Sequence, residues 1–305
     1  MSKQLQMRRG TTAQHQSFTG AAGELTVNTD TNTVVVHDGS QAGGFSSGSL
    51  MSMTVYTTGS GNWTRPSGCK AIHVHVTGAG GGGGGMGDGL GYNGNWVNPQ
   101  RGMSVGGGGG AGGTAISVID VSAIGSPFQI AYVVGTAGVN PDSATNYTLD
   151  GTDGVASTFA APGGTLTGGP GLGGDNAIKY PNAAGLNSMN MGGCPAGGAG
   201  GIGSGGQLNL TGNAGQGGTV HWEHSSSYTS HHPSAGHGGA SYWGGVGRAA
   251  FEEVPSASPN YTRHNSATPD AVDGLQGAGG SGGRCLYEQW GSDGGKGMIV
   301  IYEYA

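Results

Sequence analysis

Gly106-Gly107-Gly108-Gly109-Gly110-Ala111-Gly112-Gly113, with Gly80 through Gly85 before it, decides how this chain is read. Neither an α-helix nor an ordinary strand favours such a run, because glycine loses the most backbone freedom on folding and has no side chain to bury. Two readings compete. One is a flexible linker. The other is a set of close-packed, left-handed threefold glycine helices of the polyproline-II type, rising about 3.1 Å per residue without internal hydrogen bonds. Lacking Cβ atoms, such helices can lie side by side and donate N–H to a neighbour's C=O, as a buried backbone requires.

Composition favours order. The 71 glycines and 12 prolines exceed a quarter of the 305 residues, a level that in aperiodic sequence signals low complexity. Disordered chains, however, are rich in charge and poor in aliphatics. Here only 9% of residues are charged and 34% are hydrophobic. Ten glycines fall in residues 1–77 and the other 61 in 78–305, separating an ordinary N-terminal part from an unusual body. A threefold helix needs glycine at every third position along a face touching another helix. Gly197, Gly200, Gly203 and Gly206 keep that register, as do Gly212, Gly215 and Gly218. Gly277, Gly280 and Gly283 keep it too, as do Gly291, Gly294 and Gly297.

The net charge of −6 argues against nucleic acid or an anionic membrane as the main partner. Cys69, Cys194 and Cys285 are too few and too scattered for a disulfide framework or a zinc motif, and read as buried thiols. Met1 to Arg9 has no apolar signal core, so assembly in a cytoplasm is expected.

Taken in order, Glu24–Asn28 and Thr33–His37 read as strands around the turn Thr29-Asp30-Thr31-Asn32. Residues 48–53 read as a linker between an N-terminal module, 1–47, and a body, 54–305. In the body, Thr54–Thr58 is a strand and Trp63 a core plug. Ala71–Thr77 alternates, with Ile72, Val74 and Val76 on one face and His73 and His75 on the solvent side. Thr114–Val121 and Pro127–Val134 are expected to pair as a hairpin. Val155–Phe159 is a further strand, and the chain closes on a strand ending at Tyr304. No helix is expected.

The words Gln6-Met7-Arg8-Arg9-Gly10-Thr11-Thr12-Ala13-Gln14-His15, Phe18-Thr19-Gly20-Ala21-Ala22-Gly23-Glu24-Leu25-Thr26-Val27 and Val36-His37-Asp38-Gly39 resemble a known module. It is the N-terminal domain of the major tropism determinant and of many tail-fibre proteins of tailed bacteriophages. The resemblance implies a trimeric β-prism that attaches to the virion tail. The body has an Asn62-Trp63-Thr64-Arg65-Pro66 opening, a Val-rich strand entering polyglycine and a final Gly297-Met298-Ile299-Val300-Ile301-Tyr302 strand. These resemble the glycine-rich domains of phage tail fibres, and some T-even tip adhesins share the glycine runs. What this implies is an all-β protein: a β-sandwich collar carrying a polyglycine II bundle with variable loops at its far end.

Segment 221–243 holds five of the ten histidines and two of the five tryptophans. Lying between glycine stretches, it is expected to be a loop joining glycine helices, and loops on rigid scaffolds are where recognition concentrates. Aromatic rings offer rigid contact area and stack on sugar faces, while histidine supplies hydrogen bonds. The candidate receptor-binding residues are His221, Trp222, His224, Tyr228, His231, His232, His237, Tyr242 and Trp243, with Tyr92, Trp96 and Tyr261 on other tips. The rival reading is that these rings only close the end of the bundle. His73 and His75 leave the same face of a strand, a spacing that can grip one metal ion. Asp142, Asp150, Asp153 and Asp175 sit among Gly and Asn as turn residues. No paired-carboxylate, nucleophile-elbow or phosphate-loop pattern appears, and no catalysis or cofactor is expected.

The expected function is therefore that of a homotrimeric receptor-binding tail-fibre or tail-tip protein. It would hold other tail or baseplate proteins through its N-terminus and a host glycan or outer-membrane protein through its loops. A structural fibre joint that never meets the receptor, a capsule-degrading enzyme and an elastic linker are the rival readings.

Overall fold

A computed structural model describes residues 6–48, 50–85, 105–124, 128–140, 150–176, 195–224, 229–248, 273–282 and 291–305, with side chains described outside 220–233. The N-terminal part is a four-stranded sheet in the order β1-β2-β3-β4: β1 (Arg8–Gly10), β2 (Leu25–Asn28), β3 (Thr33–Val36) and β4 (Phe45–Ser46). Contrary to the helix-free expectation, a short helix α1 (Thr12–Gln16) follows β1. Its cause is local: Thr11 and Gln14 form a reciprocal capping box, so two orphan N–H groups find partners at once. The β2–β3 turn places Asn32 at φ 53°, a left-handed conformation that asparagine tolerates.

Strand alternation turns the polar face of this sheet inward. Thr26, Asn28, Thr33 and Val35 are buried, whereas Leu25, Val34, Val36 and Phe45 are exposed. The buried polar groups form a one-way chain. Gly20 N–H donates to His37 Nδ1, which leaves the proton of that neutral ring on Nε2, 2.9 Å from Thr26 Oγ1. The Thr26 hydroxyl then donates to His15 Nε2 at 2.8 Å, and His15 Nδ1 donates to the Thr11 carbonyl. Gly20 is obligatory here, since a Cβ would stand 2.6 Å from the His37 ring.

The body begins with β5 (Leu50–Tyr56), which pairs with the C-terminal strand, so residues 50–53 expected in a linker belong to a ladder instead. The remaining strands are β6 (Ser60–Thr64), β7 (Ala71–Thr77), β8 (Thr114–Asp120), β9 (Gln129–Val133), β10 (Ser157–Phe159), β11 (Leu166–Gly168), β12 (Gly203–Ser204), β13 (Leu208–Leu210), β14 (Thr219–His224), β15 (Thr229–Ser234) and β16 (Met298–Tyr304). Two five-stranded sheets, β13-β8-β7-β16-β5 and β12-β11-β10-β9-β6, face each other across one core. Trp63, Ile72, Val74, Val76, Ile130, Phe159, Leu166, Ile299 and Ile301 fill it. The expected hairpin of 114–121 with 127–134 does not form: β8 pairs with β7 and β13, β9 with β6 and β10, in opposite sheets. The connection crosses the sandwich because Ile130 must meet Trp63 in the core.

Strands of both sheets run on into glycine-rich segments, and the hydrogen bonds of those segments repeat every third residue. Gly78, Gly81 and Gly84 donate to Gly113, Gly110 and Gly107; Ala79 and Gly82 to Val155 and Thr152; Gly80 and Gly83 to Gly295 and Ser292. Run 78–85 thus gives its N–H groups to three neighbours in turn, and its carbonyls accept from Gly171, Gly174, Gly138 and Gly280 in three others. Run 105–113 behaves alike: Gly107, Gly110 and Gly113 donate to Asp175, Leu172 and Gly169; Gly108 and Ala111 to Gln216 and Asn213; Gly109 and Gly112 to Gly280 and Gly277. At most positions a neighbouring main chain leaves no room for a side chain, although the methyl groups of Ala79 and Ala111 fit fully buried within these runs. A Cβ at Gly81 would lie 2.0 Å from the Leu172 oxygen, and at Gly83 1.8 Å from that of Ser281. In the outer run 195–203 the free face carries the side chains, with Ala196, Ala199 and Ile202 exposed at every third position. Gly212, Gly215 and Gly218 face Ala111, Gly108 and Val105 in the same step.

Candidate functional site

The bond pattern gives the array two ends. Beside the sheets lie Gly78, Gly113, Gly169, Gly277 and Gly297, joined through Gly78–Gly113, Gly113–Gly169, Gly112–Gly277 and Gly297–Gly135 bonds. At the opposite end lie Gly84, Gly107, Asp175, Ala196, Gly236 and Gly282, joined through Gly84–Gly107, Gly107–Asp175, Asp175–Ala196 and Gly282–Gly236 bonds. The β14–β15 hairpin leaves from this far end, where Gly218 donates to Pro195 and Gly236 to Gly106. Its register places His221 opposite His232 and Trp222 opposite His231. Residues 219–224 and 229–234 therefore pair as a two-stranded ribbon, where a loop is expected from the sequence. Tyr92, Trp96, Tyr228 and Tyr261 lie outside the described residues.

Tyr242 and Trp243 are elsewhere. Run 235–240 returns toward the sheets, and Ser241 makes the turn that reverses it. Ser241 Oγ donates to the Gln276 carbonyl at 2.5 Å and accepts from the N–H groups of Trp243 and Gly244. This puts both rings against the outer face of the β13-β8-β7-β16-β5 sheet, with centroids 5.6 and 5.3 Å from His75 and 4.9 Å from each other. Tyr302 lies 5.8 Å from both His73 and His75, completing a cluster of rings on β7, β16 and the 241–244 turn. Tyr302 was not legible as a member, since only the β7–β16 register brings it opposite His73. His237 is half-buried within run 235–240, and its carbonyl accepts from Gln216.

His75 was expected to face solvent and does not. It is 6% exposed, and its Nδ1 has no hydrogen-bond partner. Burial, reinforced by the neighbouring His73 charge, holds its pKa down to about 4, so the ring is neutral at ordinary pH. The two imidazoles are 4.5 Å apart, but the described residues contain no group of three or more His, Cys, Asp or Glu able to hold an ion.

Asp150, Asp153 and Asp175 are likewise not turn residues. Asp150 Oδ1 accepts from Asn176 N–H and Asp153 Oδ1 from Gly173 N–H, each at 2.8 Å, while Asp175 Oδ2 accepts from Ala196. The first two partners again differ by three residues. These carboxylates act as substitute carbonyls along the outer grooves of the array, where a run lacks a main-chain acceptor. Asp142 lies outside the described residues.

The array, its supporting sandwich and the far-end hairpin define a glycine-rich module. Residues 54–304 match the family described as the glycine-rich domain, and the chain belongs to that family. Residues 5–41 match the major tropism determinant N-terminal domain. A curated relative, the tail fiber receptor-binding protein of Bordetella phage BPP-1, is 71% identical over 45 residues, which are 15% of this chain and 12% of that protein. The match thus spans about an eighth of the relative's length. Two solved structures, the P3c and M1 variants of the major tropism determinant, align at 23% identity over 49% of this chain and 56% of theirs, with a TM-score of 0.14.

Proposed function

We propose that this chain is a receptor-binding fibre or tip protein of a tailed-phage virion, held to the tail through residues 1–47 and meeting the host surface at the far end of its glycine array. The observation that carries this is the antiparallel return of successive runs, which leaves a rigid platform with its hairpin at the end opposite the sandwich. The runs are read as polyglycine II helices. In support stand the step-three donors, the outward position at every third residue and Cβ positions within about 2 Å of neighbouring carbonyls. The relative's printed name supports the receptor-binding role, and the N-terminal domain match supports attachment at the tail.

The proposed receptor contacts are His221, Trp222, His224, Tyr228, His231 and His232, with Tyr92, Trp96 and Tyr261 as further candidates. The ligand is a host glycan or an outer-membrane protein. Tyr242 and Trp243 are left out of this set, because they pack on His75 beside the sheets. The N-terminal module is read as a β-prism shared by three copies, since its exposed face carries Leu25, Val34, Val36 and Phe45. A small domain with such a face gains stability only by covering it.

Adsorption of the purified chain to host cells tests the reading. Replacing residues 220–233 by a short Gly-Ser turn is expected to abolish binding while leaving the fold intact. Unchanged adsorption removes the hairpin claim. Failure of the native chain to adsorb, with its far end buried in the assembled particle, makes it a structural joint instead.

A further inference from the structure

The two outer faces of the sandwich differ in kind. Across β12, β11, β10, β9 and β6 one register row reads Ser204, Thr167, Thr158, Val133 and Ser60, and a second pairs Gln129 with Thr64. That face is dressed for water. On the other sheet the corresponding row over β8, β7, β16 and β5 reads Val118, His73, Tyr302 and Met53. The next row reads Leu208, Ile116, His75, Val300 and Val55. The 241–244 turn covers the middle of this second row, where Ile116, His75 and Val300 are buried. The first row stays open, with Val118 at 53% and Met53 at 55% exposure. Neither row contains an acidic side chain, lysine or arginine. Asp120, opposite Ala71 one row further out, bounds the patch, and exposed Val118, Met53 and Val55 within a polar rim mark an interaction surface rather than ordinary exposure.

We infer that the outer face of the β13-β8-β7-β16-β5 sheet is covered by a second copy of this chain. The inference rests on the proposed oligomer and names a surface of the body that takes part in it. Continuity within the chain points to that occupant. The exposed apolar face of the N-terminal sheet ends at Phe45 on β4, and β5, the edge strand of the body sheet, starts at Leu50 with Leu50, Met51, Met53 and Val55 exposed. Copies that pack through Leu25, Val36 and Phe45 hold their β5 strands within residues 47–49 of the contact. The rows, which hold no carboxylate, lysine or arginine, then turn toward the shared axis of the copies, where ring closure brings the same surface of each chain into play. Covering β5 also removes a free, apolar sheet edge.

Methionine oxidation tests this on the full chain. Sedimentation velocity first gives its state of association. Dilute peroxide then oxidises solvent-accessible methionine, and peptide mass spectrometry reads the rate at Met53. A methionine introduced by Thr158→Met on the polar outer face is the internal reference. The expected result is an associated chain in which Met53 reacts at least tenfold more slowly than the reference. Association with Met53 reacting as fast as the reference overturns the interface, leaves the oligomer reading standing and gives the face to another virion protein. A monomeric chain sinks the oligomer reading and this inference together.

Discussion

Gly109 approaches Gly81 so closely that a methyl group on Gly109 would stand 2.1 Å from the Gly81 carbonyl oxygen. The obstacle is backbone, which cannot swing aside as a side-chain tip does. Gly109→Ala is therefore expected to cost about 3 kcal/mol and to lower the thermal midpoint by roughly 5–10 °C. Gly245 provides the contrast, because nothing lies within 4 Å of a Cβ there. Gly245→Ala should leave the midpoint unchanged or slightly raised. Equal melting of the two variants would show that the runs are not packed against one another.

How much of this was legible depends on whether a feature is local. The glycine register at 212, 215 and 218 shows in the sequence because a contact face that recurs every third residue is a local pattern, and these three positions do approach run 105–113. The inward set Ile72, Val74 and Val76 is equally local. The assignment of β8 and β9 to different sheets is not, since both read as strands of similar length and only the shared core separates them. Likewise Asp150 and Asp153 look like turn residues until run 169–176 is placed beside them. Tyr242 and Trp243 sit near the hairpin in sequence, but one further run carries them to the opposite end of the array.

The Glu303 carboxylate is buried at the open end of the core. It accepts from Trp63 Nε1 at 2.7 Å, from Ser52 Oγ and from Thr54 Oγ1 at 3.4 Å. Trp63→Phe keeps most of the apolar contact but removes one donor to a buried charge. A loss of about 2 kcal/mol is expected in denaturant unfolding. Trp63→Phe combined with Glu303→Gln should lose less than the two single changes summed, because the second substitution removes the charge left short of a donor. Strict additivity would show that the bond contributes nothing beyond packing.

In the N-terminal sheet, Thr26 is the link through which both imidazoles are satisfied. Thr26→Val is close to it in shape but strands His15 Nε2 and His37 Nε2 in a buried site. The expected cost is about 2–3 kcal/mol, given about 1–3 for each unpaired group. Hydrogen exchange should report it as faster amides in residues 8–46 with unchanged protection in 71–85. Unaltered exchange in 8–46 would mean that water replaces the hydroxyl.

The pH dependence of the ring cluster follows from His75. Its folded pKa, about 4, lies below the ordinary value of 6.5 because burial disfavours the charged ring and the His73 charge adds to that. Between these values the unfolded chain holds the proton and the folded one does not, so stability rises with pH across the window. The contribution is complete above about 6.5 and is lost as pH falls toward 4. The groups packed on the ring are His73, Tyr302, Tyr242 and Trp243, with no carboxylate among these ring contacts to offset a positive charge. His75→Phe keeps the stacking and removes the titration. The native chain should therefore lose more of its thermal midpoint than His75→Phe between pH 6.5 and 4. Trp243 emission should shift red only in the native chain, as the 241–244 turn lifts from a charged ring. Parallel losses in both chains would show that the buried Nδ1 already has a partner in solution.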